Sequence, residues 1–211
     1  MGVGTGNGNG ANAPYGCFQT LGDLWLDFNK SASYKNYYRE LDLMHGIALT
    51  KYEQDGVVYT REVFASYPDR ALIIHLTADK PNALSFLLSI DRPEKFETIA
   101  EDNKLVMRGA LTNGKGGDGM KYKAYAIPIV SGGSLKTDGN KLRISNADSV
   151  TIIVTAATNY RLHYPDYINN NYEAALNSIT KKATTKNYVT LRTTHVKDFS
   201  SYMMKSTLQL G

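Results

Sequence analysis

The sequence predicts a mainly β protein, an antiparallel β-sandwich followed by a short helical segment. Three observations carry this. From residue 17 to about 160, apolar and polar residues alternate in one short run after another, the period of a half-buried strand. Turn chemistry separates the runs at close intervals, as in Gln54-Asp55-Gly56, Ser131-Gly132-Gly133 and Asp138-Gly139-Asn140. The helical patterns come after the strands and do not alternate with them, so the layout is not βαβ. The tilt to 15 Tyr against 6 Phe agrees, because a Tyr ring packs on a half-exposed strand while its hydroxyl stays paired.

Residues 1–16, dominated by Gly and Asn, hold too little apolar surface to offset their ordering entropy. They are expected to form a flexible arm, or an internal loop exposed by truncation. The first strand follows: Leu24, Leu26 and Phe28 share one face, and Asp23, Trp25 and Asp27 the other. Tyr37 to Leu43 is the next strand, turning at Met44-His45-Gly46. Ile47 to Glu53 and Val57 to Ala65 form a hairpin across Asp55-Gly56, residues tolerant of positive φ. Further strands are predicted at Ala71–Thr77, Leu84–Asp91, Lys104–Leu111, Tyr122–Val130, Ser134–Thr137, Lys141–Ser145 and Ser149–Ala157. After Pro165 the period changes. Tyr172–Lys182 and Asn187–Met204 read as helices, with Tyr188, Leu191, Val196, Phe199 and Tyr202 roughly at helical spacing. Ser206 to Leu210 reads as a short final strand.

Bulk properties narrow the function. At 211 residues the chain can bury one substantial core. A net charge of +4 with no basic run gives no case for nucleic acid. The lone Cys17 excludes an internal disulfide and a Cys-based zinc site, and its flanks suggest a structural role. No stretch reaches membrane-spanning length. The start lacks the basic-then-apolar layout of a signal peptide, so the protein is cytoplasmic or its export signal lies outside this sequence.

Four constellations invite a functional reading. Gly114-Lys115-Gly116-Gly117-Asp118-Gly119 fits G-x-G-x-x-G, but a strand follows it where a dinucleotide site needs a helix, so it is a hairpin loop. Glu40 and Asp42 lie about 6.6 Å apart on one strand face, near an inverting glycosidase's carboxylate spacing. Same-face neighbours project in parallel and cannot flank a sugar. A solvated face paired with Arg39 or Arg61 is the expected environment. Trp25, flanked by Asp23 and Asp27, could stack on a pyranose while the carboxylates accept from its hydroxyls; the competing reading is a Trp packed under a loop or another domain. His45, His75, His163 and His195 lack metal-ligand spacing. His75 reads as a satisfied face residue, and His195 with Asp198 as helix neighbours in packing.

Several stretches, in this order and spacing, carry a family resemblance: Phe18-Gln19-Thr20-Leu21-Gly22-Asp23-Leu24, Tyr38-Arg39-Glu40-Leu41-Asp42-Leu43 with Gly46-Ile47-Ala48, and Tyr59 through Asp69. Ala78-Asp79-Lys80-Pro81, Asp91-Arg92-Pro93 and Leu191, His195 and Asp198 ahead of Leu208-Gln209-Leu210-Gly211 extend it. Over residues 15–211 the chain resembles the N-terminal β-domain of the α-L-fucosidases of glycoside hydrolase family 95. The resemblance implies a supersandwich-like β-domain over 17–165 and a helical linker with a short final strand over 166–211. It implies a parent that removes α-1,2-linked L-fucose or L-galactose with inversion, using a helical barrel that holds the catalytic groups. That barrel and the opening of the β-domain lie outside this sequence. No catalytic residue, cofactor or metal is therefore carried onto the chain, which is expected to be inactive alone. The implied partner is the barrel, and the implied setting of the parent is periplasmic or secreted. A sandwich without its first strands is expected to leave an open sheet edge through which copies could pair as a homodimer. The competing readings are a stand-alone sandwich binding fucosylated glycans through Trp25, and a protein-assembly domain.

Overall fold

The computed structural model describes residues 19–28, 33–113 and 116–205. Its strands run β1 (Asp23–Asp27), β2 (Lys35–Asp42), β3 (Ile47–Gln54), β4 (Val57–Ser66), β5 (Ala71–Ala78) and β6 (Leu84–Asp91). They continue as β7 (Glu97–Glu101), β8 (Lys104–Thr112), β9 (Asp118–Ser131), β10 (Ser134–Asp138), β11 (Lys141–Ala147) and β12 (Ser149–Thr158). Two helices close the described chain, α1 (Tyr172–Thr184) and α2 (Tyr188–Met203). The segment 1–16, Cys17 and the final strand expected at 206–210 lie outside the described residues.

The strands form two antiparallel sheets. The smaller has the order β1-β6-β11-β10 and the larger β2-β3-β4-β5-β12-β9-β8-β7. They face each other across the main core. Leu84, Phe86, Leu88 and Ile90 of β6, with Leu142 and Ile144 of β11, meet Ile74, Leu76, Leu105, Met107, Val150 and Ile152 of the larger sheet. The alternation of β6 explains its place: every second residue is buried and the residues between face outward. Strands β5 and β12 differ, with apolar residues on both faces. Ile73 and Ile153 turn away from the main core and bury themselves with Phe64, Ala183 and Leu191. Val106 and Tyr125 pack with Leu176 of α1 in the same way. The two helices therefore cover the outer face of the larger sheet as a third layer.

Local chemistry sets the turns. Asp55 and Gly56 have φ of 53° and 70° and close the two-residue β3–β4 hairpin, with Gln54 opposite Val57. The sequence reading missed β7. This half-exposed strand pairs with β8 across Asp102 and Asn103, both at positive φ. Strand β9 starts at Asp118, four residues ahead of the expected Tyr122. Leu43 belongs to the β2–β3 turn and not to β2.

Helix α2 starts on Asn187, whose side chain accepts from the Thr190 N–H. Its other end rests on the β2–β3 turn. Gly46 there has a φ of 64°, and a Cβ on it would lie 2.8 Å from the Phe199 ring. Gly46→Ala combines left-handed strain with a clash. It is expected to cost about 1–3 kcal/mol in denaturant unfolding and to speed amide exchange in α2. Unchanged stability together with unchanged α2 exchange would show that this contact is not needed for docking.

Candidate functional site

The residues singled out on β1 sit on the outer face of the smaller sheet, because Leu24 and Leu26 turn inward to the core. Trp25 is 55% exposed, and its Nε1–H donates to Asp91 Oδ1 at 3.0 Å. Asp23 lies opposite Asp91, Trp25 opposite Ser89 and Asp27 opposite Leu87. The indole is thus held across β6 with its ring in solvent, flanked by carboxylates. Just beyond, Arg92 donates to Gln19 Oε1 at 2.8 Å and lies over the Tyr122 ring at 4.7 Å. The stretches around Gln19-Asp23 and Asp91-Arg92 clasp one another, which gives their joint appearance a structural cause.

Glu40 and Asp42 do not share a substrate cleft. The Tyr38 hydroxyl donates to Glu40 at 2.9 Å, and Asp42 builds the β2–β3 turn. The Met44 and His45 N–H groups donate to Asp42 Oδ1, while His45 Nδ1 lies 2.6 Å from Oδ2. The His45 hydrogen bond holds the Asp42 carboxyl below the ordinary carboxylate range. The partners are therefore Tyr38 and His45, where the sequence suggested Arg39 or Arg61. His195 is buried: its Nε2 lies 3.1 Å from Gly46 O and its ring stacks on Phe64 at 4.7 Å. It is a docking residue of α2.

A polar cluster that the sequence did not reveal lies between α2 and the larger sheet. The Tyr188 ring stacks on His75 at 3.6 Å and 9°, and its hydroxyl donates to Glu62. Arg192 also donates to Glu62, at 3.3 Å, and His75 Nδ1 is 2.9 Å from Thr151 Oγ1. Burial, reinforced by Glu62, pushes the Tyr188 phenol far above its ordinary value, so the ring stays neutral. Burial pushes the His75 imidazole down, against a smaller opposing pull from Glu62. Nearby, the buried carboxylate of Asp69 accepts from Ser66 at 2.6 Å and from Lys186 at 2.5 Å. The contacts that Tyr188, Arg192 and Lys186 make with β4, β5 and the β4–β5 turn join residues more than a hundred positions apart, so no local pattern announced them.

Gly116 and Gly117 precede β9, which takes in Asp118 and Gly119, and Thr112 pairs with Asp118 across the turn. A strand follows the motif, as expected, while Gly114 and Lys115 lie outside the described residues. Among the described residues, no three or more His, Cys, Asp or Glu are grouped to hold a metal, and no helix is long and apolar enough to cross a membrane.

The profile described as "Glycosyl hydrolase family 65, N-terminal domain" matches residues 4–163. Alpha-L-fucosidase 2 of Arabidopsis thaliana is 27% identical over 94% of this chain and 27% of its own length. Probable alpha-fucosidase A of Aspergillus oryzae is 28% identical over 98% of this chain and 30% of its own. The chain thus spans under a third of these relatives. A solved structure named for kojibiose phosphorylase, from the human microbiome, covers 80% of this chain and 25% of its own at 12% identity and a TM-score of 0.48. At that score it adds nothing to the assignment.

The His75–Tyr188 stack sets a pH dependence. An imidazole whose folded value is lowered binds fewer protons in the folded chain than in the unfolded one. Its contribution is complete above the unfolded value of about 6.5 and is lost as pH falls through the lowered folded value. Melting curves from pH 7.5 to 5 should fall more steeply for the native chain than for His75→Gln. Equal slopes would remove His75 as the titrating group.

Proposed function

The chain belongs to the family of glycosyl hydrolase family 65 N-terminal domains, and from that premise we propose that it is the non-catalytic β-domain of an α-L-fucosidase-like hydrolase. The parent would release α-1,2-linked L-fucose or L-galactose with inversion, the chemistry residing in a helical barrel beyond this segment. The fucosidase relatives support the substrate, and one observation supports the scaffold role. At the end of α2, Tyr202 and Met204 are exposed, one turn past the contacts of Phe199 with Gly46 and of Ser200 with the Met44 carbonyl. Leu43 and Met44 of the β2–β3 turn and Leu41 of the edge strand β2 are exposed at the same end. Apolar residues gathered in this way mark a surface that another body covers. The barrel is the body we assign, with a second copy joined along β2 as the competitor.

The test compares the chain alone with a longer chain carrying the same segment ahead of the barrel. The chain alone should release no L-fucose from 2′-fucosyllactose, and the longer chain should release it. The longer chain should also protect Leu41 to Met44 and Tyr202 to Met204 from amide exchange. Fucose release by the chain alone, or equal exchange in both, overturns the reading. A stable dimer by light scattering with β2 protected would favour the competitor.

The pinned, exposed indole favours a second reading, in which Trp25, Asp23 and Asp27 contact fucosylated glycans. Titration with 2′-fucosyllactose should then move the Trp25 indole N–H resonance saturably; a resonance that stays in place rejects it.

A further inference from the structure

A groove of about 510 Å³ lies where β7, β8 and β9 meet the start of α1. It is remote in sequence from Trp25 and belongs to the larger sheet. Its floor is Gly109, over which the chain ahead of β7 crosses at close range. A Cβ there would stand 1.9 Å from the Lys95 carbonyl oxygen and 2.5 Å from the Tyr122 hydroxyl. That hydroxyl donates to the Lys95 carbonyl at 2.7 Å, so the crossing is fixed.

The walls carry charged groups already held by partners. Arg108 donates to Glu97 through Nε at 3.0 Å and is 2.9 Å away through its terminal nitrogen. On the other wall, Glu173 accepts from Lys123 at 2.6 Å and from the Tyr172 hydroxyl at 3.3 Å. Salt bridges of this kind add little stability on a surface, yet they orient planar carboxylates and a guanidinium. Between them Phe96, 40% exposed, and Tyr172 supply apolar ring surface.

Charge decides which class of ligand this suits. Lys95, Arg108 and Lys121 line the groove against Glu97, Asp118 and Glu173, three cations against three anions, with Lys123 behind Glu173. A phosphate or a nucleic acid gains little net field from so nearly balanced a site. A neutral polyhydroxylated ring gains from both components. Its C–H face lies on an aromatic ring, and its hydroxyls donate to oriented carboxylates and accept from a guanidinium. We infer that this groove is a binding site for a neutral oligosaccharide, separate from the Trp25 face. The inference stands whether or not the parent cleaves fucose.

The test is a two-dimensional amide NMR titration of the chain with lactose and with 2′-fucosyllactose, using 3′-sialyllactose as the anionic counterpart. Saturable shifts at Phe96, Gly109, Lys121 and Tyr172 are expected with at least one neutral sugar, with a Kd on the order of millimolar for so open a site. Phe96→Ala and Arg108→Gln, both replacing surface side chains, should each weaken binding by about fivefold or more, a factor set by one ring or one fork of hydrogen bonds. Tyr67→Ala, an exposed tyrosine in the β4–β5 turn, should leave it unchanged. The proposal is overturned by no saturable shift with either neutral sugar. Equal affinity in both groove variants, or sialyllactose binding as tightly as the neutral sugars, also overturns it.

Discussion

The larger sheet must be covered on both faces, and the rest of the structure answers to that requirement. Its central strands carry apolar side chains on each side: Ile74 and Ile152 toward one layer, Ile73 and Ile153 toward the other. Leaving either set in water would forfeit about 1.5–3 kcal/mol per side chain. One face is met by the four-stranded sheet, which is too narrow to cover eight strands. The other is met by α1 and α2, whose Leu176, Ala183 and Leu191 are fully buried. The helices are therefore part of the folded unit, whatever follows them along a longer chain.

Polar groups fix where the helical layer sits. Thr155 and Thr180 hydroxyls meet at 2.7 Å between β12 and α1, both buried. The Asp69 carboxylate, shielded in the β4–β5 turn, takes its counter-charge from Lys186 in the short link between the helices. A buried carboxylate stripped of its partner is strongly unfavourable, so this pair discriminates against any other seating of α1 and α2. Glu62 repeats the device with Tyr188 and Arg192. The stretches that gave the chain its family resemblance gather at such joints: Asp42 to Gly46 under α2, Ser66 to Asp69 under Lys186, Asp91-Arg92 against Gln19. What they share is assembly of layers.

Much of this could be read from the sequence, for identifiable reasons. Period-2 alternation and the Asp55-Gly56 turn declared most strands, and Leu24 and Leu26 declared which way Trp25 faces. Glu97-Thr98-Ile99-Ala100-Glu101 did not read as a strand, because it offers little apolar alternation; its signal was the Asp102-Asn103 turn. The division into two sheets was invisible, since β6 leaves its neighbour β5 to pair with β1 and β11. The Asp91 partner of Trp25 stands 66 residues away. The groove around Gly109 draws on β7, β8, β9 and α1, so no single stretch carried its mark.

Trp25 is the only tryptophan in the chain. Seated on the smaller sheet and half in water, its indole is a local reporter when excited apart from the 15 tyrosines. Emission from this indole follows the β1–β6 pairing and is nearly blind to α1 and α2 on the far side of the larger sheet. Detachment of the helices could pass unseen in a fluorescence melt while circular dichroism records it. Disagreement between those two signals would then measure the separate cohesion of the helical layer.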